Sequence, residues 1–141
     1  MEFEMGRNFL FRVPEGEDFI KYVQKFAEDK GIKVATVSAI GSLKRAKLGY
    51  YSMELGKYEE IKVEGLHELI IAAGNISIRD GEPFPHVHAL LGREEGSTIG
   101  GHLISGEVFV VEVYIAELKG EILERVPHGN LTLWKTENLS N

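Results

Sequence analysis

Most of this chain reads as strand, in apolar and β-branched stretches bounded by turn signals, with alternation of apolar and polar positions over 58–63 and longer apolar runs over 68–78 and 107–118. Only once does the spacing lengthen to that of a helix. There, Phe19, Ile20, Val23, Phe26 and Ala27 fall at i, i+1, i+4, i+7 and i+8 and share one helical face. Glu17 and Asp18 open this helix, where acidic groups favour the positive end of the helix dipole. Lys30-Gly31 closes it with the glycine that ends many helices. Its apolar face is expected to pack on a sheet.

Strands are expected over 8–13, 33–40, 46–52, 58–63, 68–78, 85–91 and 107–118, with a short last one over 131–134 and a frayed tail after Lys135. Gly41-Ser42 and the turn around Leu55-Gly56-Lys57 end strands, and Gly74 reads as a bulge. Asp80-Gly81 is a turn, Pro83 and Pro85 limit pairing, and 92–101 is a polar loop. About seven or eight strands and one main helix make an α+β fold. It is a mainly antiparallel sheet with the helix packed on it, in a single domain over 1–141. Residues 69–73 and 108–113 are apolar on both sheet faces, and one helix covers only one of them. Either a symmetric partner covers the other, or the sheet curls and covers itself.

The histidines change this picture most. His86 and His88 flank Val87, so on a strand both rings point the same way. His102 follows Gly100-Gly101, and those glycines let the chain turn tightly enough to bring a third ring alongside. Three imidazoles with an open fourth position form some catalytic zinc sites. The alternative is a solvated strand face and a loop histidine. His67 and His128 stand alone and read as surface residues. Metal binding needs neutral rings, so it is expected to weaken as pH falls through roughly 6.5.

Composition narrows the chemistry. The 141 residues are 43% hydrophobic, carry a net charge of −6 and include no cysteine. Disulfides and thiolate metal sites are excluded, and any metal must take His, Asp or Glu. The acidic balance does not advertise a nucleic-acid or anionic-membrane surface. The only basic cluster, Lys44-Arg45-Lys47, reads as a solvated turn and strand edge. No run of 18 apolar residues exists to cross a membrane. Residues 1–6 lack a basic segment followed by an apolar run, so the cytosol is the expected location.

Four further residues are candidates. Glu112 lies in the apolar stretch 110–114 and is expected to be buried and paired. It can serve as a general base, as a fourth ligand or as the partner that orients a histidine. Alternatively it forms an ion pair with Arg12 or Arg79. Arg12 can hold a substrate carboxylate or phosphate, or close a structural salt bridge. Asn75 and Ser77 alternate after Gly74 and either line the same pocket or face solvent.

These pieces together resemble the PPC domain, the plants and prokaryotes conserved domain, in its stand-alone prokaryotic form. The resemblance rests on Phe11-Arg12-Val13-Pro14-Glu15-Gly16-Glu17-Asp18, Ala39-Ile40-Gly41-Ser42 and Gly74-Asn75-Ile76-Ser77. It continues through Gly81-Glu82-Pro83-Phe84-Pro85-His86-Val87-His88-Ala89, Gly100-Gly101-His102-Leu103-Ile104-Ser105-Gly106 and Glu112-Val113-Tyr114-Ile115. Phe11 stands where the family pattern has leucine. The resemblance implies a homotrimer and a histidine cluster that holds zinc or another divalent metal in prokaryotic members. The matching ligands are His86, His88 and His102. It implies no particular reaction. Plant relatives bind DNA through a preceding AT-hook, and this chain has no such segment. The expected function is therefore a metal-binding trimer with a small-molecule pocket. An interaction or regulatory module without catalysis is the alternative, and nucleic-acid binding ranks last.

Overall fold

The structure is a computed structural model that describes residues 1–135. Its elements run β1 (Glu4–Val13), α1 (Phe19–Lys30), β2 (Ala35–Ser52), β3 (Lys57–Arg79), β4 (Glu82–Gly92), β5 (Thr98–Lys119), β6 (Glu124–His128) and β7 (Leu131–Trp134). One seven-stranded sheet contains all the strands, and it is antiparallel except where β6 runs beside β3. The α+β reading holds, with one helix and seven strands among the described residues. The tail after Lys135 lies outside them.

The helix forms where the spacing predicts it. Asp18 caps it by accepting from the Lys21 N–H, and Gly31 takes the left-handed conformation at φ 67° that ends it. Phe19, Val23 and Ala27 are fully buried, while Phe26 stacks on Phe11 with ring centroids 4.1 Å apart. A fully buried Phe or Val contributes about 1.5–3 kcal/mol, against about 1 kcal/mol for a cap. The packed face therefore holds α1 more than its ends do.

The strands are fewer and longer than expected. The expected strands 33–40, from Ala35 on, and 46–52 are parts of β2, and 58–63 and 68–78 are parts of β3. The glycines between them sit in continuous ladders: Gly41 is paired on both sides, to Leu69 and to Val111, and Gly65 lies in a bulge. Leu43 pairs with His67 and Arg45 with Glu64, so Gly65 and Leu66 together face Lys44 alone. Gly65 sits at φ 87°, open to glycine without strain, and the strand bends there and continues. Such bends let the sheet close. β2 pairs with β3, β3 with β4, β4 with β5, and β5 with β2 again. Leu43, Leu48, Leu69, Leu91 and Leu103 from these four strands are buried in the core.

Gly74 is not a bulge, because its ladder is regular on both sides, to Val37 and to Val87. It is a point of close approach: a Cβ there would lie 1.9 Å from the His86 carbonyl oxygen. Pro83 and Pro85 fall in the part of β4 whose only partner is β3, since pairing with β5 starts at His88. That free side tolerates residues without an N–H. Asp80 and Gly81, both at positive φ, form the two-residue turn between β3 and β4. Among the described residues, no helix is long and apolar enough to cross a membrane.

Gly74→Ala should push β3 from β4 beside His86. The expected loss is about 1–3 kcal/mol of stability, as for other overpacked sites, read by urea unfolding. A neutral result would mean that the two strands can separate without consequence.

Candidate metal centre

β4 and β5 build the histidine cluster by register. His88 and His102 are direct cross-strand partners, and His86 lies two residues along β4 on the same face. The turn between these strands is at 93–97. Gly100 and Gly101 are extended strand residues paired with Leu90 and Ala89, so they do not form the expected turn. Gly101 instead allows close packing, since a Cβ there would lie 2.9 Å from the Gly49 carbonyl oxygen.

The three rings converge, with centroids 5.2 Å apart for His86 and His88, 5.3 Å for His86 and His102, and 5.7 Å for His88 and His102. One nitrogen from each lies within 4.8 Å of the others. Zinc–nitrogen bonds of about 2.0–2.1 Å in a tetrahedral shell put neighbouring nitrogens about 3.3 Å apart. Side-chain rotations that close the gap by no more than about 1.5 Å therefore complete a site. The cluster suits a cation for a second reason. The Nδ1 of His102 is buried with no hydrogen-bond partner. A buried polar atom without a partner is costly, and a metal would satisfy it.

The electrostatics favour the neutral rings a metal needs. His86 is pushed down to about 4, by burial first, then by the positive charges of Arg125, His102 and His88. His102 is held below its ordinary value by burial, then by His88 and Arg125. The expected midpoint for loss of metal near 6.5 therefore shifts to lower pH for these two ligands.

The other candidates separate. Asn75 pairs with His86 across β3 and β4, and its Oδ1 accepts from Arg125 at 3.2 Å. Ser77 is fully buried, and its Oγ accepts from Arg125 Nε at 2.8 Å. Asn75 stands beside a histidine, Ser77 is buried and is neither in solvent nor among the residues lining the cavity next to His86 and His102, and both accept from the same arginine. Glu112 does not. It lies exposed on the outer sheet face, with neither an ion pair nor a hydrogen bond among the described residues. Its cross-strand neighbours are Arg12 and Ile40. From there to β4 the sheet passes through β2 and β3, about 14 Å of strand spacing. Its roles as base, as ligand and as a histidine's partner all fail in this chain. The buried carboxylate of β5 is Glu117, bound by Arg7 at 2.7 and 3.0 Å on the other side of the β5 pairing with β1. Arg12 is exposed beside Glu112 and reaches neither the histidines nor an acid. His128 is exposed and His67 partly so, as expected.

The residue that sequence reasoning missed is Arg125. It sits on β6, a strand the pattern did not predict, and is only 8% exposed. Its Nη2 donates to His86 Nδ1 at 3.2 Å. The segment Glu124–His128 is too short and polar to signal a strand. The basic cluster is fully engaged with acids: Lys44 with Glu15 at 2.6 Å, Arg45 with Glu107 at 2.9 Å and Lys47 with Glu60 at 3.9 Å.

Comparison with known proteins fits this site. The sequence profile of the Plants and Prokaryotes Conserved (PCC) domain matches residues 1–119. The chain belongs to that family. A PPC protein from Pyrococcus horikoshii shares its fold with a TM-score of 0.94 at 48% identity, over 98% of this chain and 97% of that one. A protein from Archaeoglobus fulgidus, described as metal-containing, has a TM-score of 0.92 at 41% identity, over 96% of this chain and 97% of that one. A Bacteroides thetaiotaomicron protein at 20% identity shares the fold, with a TM-score of 0.84 over 94% of this chain and 96% of that one. No protein of curated function matches the chain.

The depressed histidines make the metal-free PPC domain acid-sensitive. An unfolded His binds its proton near 6.5, whereas folded His86 does so only near about 4. Between those values the unfolded chain holds more protons, so stability falls as pH drops from about 6.5 toward about 4 and levels off below. Urea unfolding of metal-free wild type against His86→Asn should show a difference that shrinks over this window. A difference independent of pH would mean that His86 titrates normally.

Proposed function

We propose that this PPC protein binds a divalent metal of zinc type through His86, His88 and His102, beside a small-molecule pocket. The observation that carries the reading is the convergence of three imidazole nitrogens, one from a half-buried ring whose Nδ1 has no other partner. The donor set supports it: imidazoles suit zinc, copper, iron and nickel, and no thiolate or carboxylate competes in this cluster. The metal-containing relative from Archaeoglobus fulgidus supports it as well.

A metal held by three imidazoles has room for a further ligand, and supplies Lewis acidity or a water made more acidic. The chain's own residues define what stands around it. His86 and His102 line a cavity of about 410 Å³ with Tyr58, Phe84 and Arg125. The β6–β7 hairpin, through Leu131, Thr132 and Leu133, forms one wall. Burial keeps His86 neutral and able to bind. No side chain in the site stands out as a general base, so the proposal is of binding and not of a named reaction.

A specific observation favours self-association. Leu10 (80% exposed), Ile40 (55%) and Tyr114 (41%) lie on the outer face of the sheet, opposite the helix. Cross-strand neighbours run in one row from Leu10 through Tyr114, Ser38 and Ala73 to His88. We infer that this face is covered by other copies of the chain in a homotrimer. The same face serves the alternative reading, an interaction or regulatory module that docks a partner and catalyses nothing.

Two measurements test these readings. Purified protein should carry about one metal per chain by elemental analysis, and His88→Ala, an exposed ligand, should lose at least about nine-tenths of it. Unchanged content in that variant would rule the cluster out as the site. Sedimentation should give three times the chain mass, and Tyr114→Glu should shift it toward the monomer. A monomer of wild type at micromolar concentration would end the trimer reading.

A further inference from the structure

The cavity beside the histidines has a composition that metal binding does not explain. The chain carries 22 acidic residues against 16 basic ones, yet no Asp or Glu lines this cavity, and two arginines do, Arg79 and Arg125. Arg125 is 8% exposed. Its hydrogen bonds go to Ser77 Oγ, Asn75 Oδ1, His86 Nδ1 and the Thr132 carbonyl, all of them neutral. Aromatic faces surround it, with Phe84 and Trp134 at 5.5 and 5.4 Å from the guanidinium carbon. Arg79 lies 3.7 Å over the same Phe84 ring and has no ion pair among the described residues.

Buried arginines are normally paired with a carboxylate, because an uncompensated buried charge is strongly unfavourable. Neutral acceptors and ring faces offset part of that cost. A planar guanidinium held in place, open to a cavity and lacking an anion is built to receive one in forked geometry.

We propose that this cavity binds a small molecule bearing an oxyanion, a carboxylate or a phosphate, with the anionic group on Arg125 and Arg79 and the remainder directed toward the three histidines. Arg125 sits on the C-terminal β6–β7 hairpin, beyond the residues 1–119 that match the family profile, whereas Arg79 lies within them. Arg125 takes the anion-binding role that the sequence suggested for Arg12.

The contact between Arg125 and His86 couples this site to the metal. Arginine can only donate, so His86 Nδ1 must present its lone pair to it. A metal that takes Nδ1 replaces the arginine N–H. A metal that takes Nε2 needs the ring proton on Nδ1, where it opposes the same N–H. Either way, metal loading releases one edge of Arg125 toward the cavity. Metal and oxyanion should therefore strengthen each other's binding, and the coupling must be reciprocal. The coupling rests on the proposed metal site. The anion site itself does not.

The test is calorimetric titration of inorganic phosphate, and separately of malonate, into metal-stripped protein and into zinc-loaded protein freed of excess metal. At least one anion should bind the loaded protein, several-fold more tightly than the stripped form, and the tighter of the two identifies the ligand class. Arg125→Gln should weaken that anion at least tenfold while zinc affinity stays equal or rises. Arg79→Gln, at a less buried position, should weaken it less and guards against a folding artefact in the first variant. Binding of neither anion to the loaded protein overturns the proposal, as does binding that both variants leave unchanged. Loss of zinc in Arg125→Gln also overturns it, since the arginine would then only support the histidines. Anion binding that persists and depends on Arg125 in a protein that takes up no zinc upholds the anion site and removes the metal reading alone.

Discussion

The pairing of β4 with β5 is what the rest of this structure depends on. β5 is a single strand of 22 residues whose first part, from Thr98, pairs with β4 and whose last part pairs with β1. Along its length it also pairs with β2, so its hydrogen bonds close the ring of β2, β3, β4 and β5. That closure buries the leucines of the core and brings His102 opposite His88. Side chains in a strand alternate with period two. A slip of one residue in this ladder would send His102 to the core and Leu103 to the site. The buried leucines that fix the register therefore also fix the cluster.

The site shows how burial and charge act together. Half-burying the rings keeps His86 and His102 neutral, which a metal requires and which ordinary histidines lose in mild acid. Arg125 adds positive charge in the same place and pushes in the same direction. An arginine so close to a cation site looks unfavourable, since it repels the ion it neighbours. It becomes sensible if a third, negative party completes the set. Ser77 and Asn75 then have one shared task, to hold the guanidinium while that party is absent.

The outer face sets a second constraint. Leu10, Ile40 and Tyr114 lie outside the ring and away from α1, with no element of the described chain to cover them. Exposed apolar patches of this kind usually mark contact surfaces. Glu112 stands among them, which explains why it looked buried from its apolar neighbours and is not: its strand is apolar on both sides, but the chain covers only one.

The amino-acid order by itself determined the helix, its caps, the strand character of nearly everything else and the like orientation of His86 and His88. These are local properties, set by side-chain periodicity and by residues such as Asp18 and Gly31. It also carried the family, through motifs such as Pro85-His86-Val87-His88 within the residues the family profile matches. Tertiary structure decided the rest. Gly41-Ser42 reads as a strand end and 64–67 as a gap between strands, and only the ladder shows that both strands continue. Residues 100 and 101 read as a turn, and only pairing to Leu90 and Ala89 makes them extended. Arg125 carried no signal at all: its importance comes from being folded, far along the chain, against Ser77, Asn75 and His86. Which face of a two-sided apolar strand the chain covers is a property of the whole fold, so no local pattern could place Glu112 correctly.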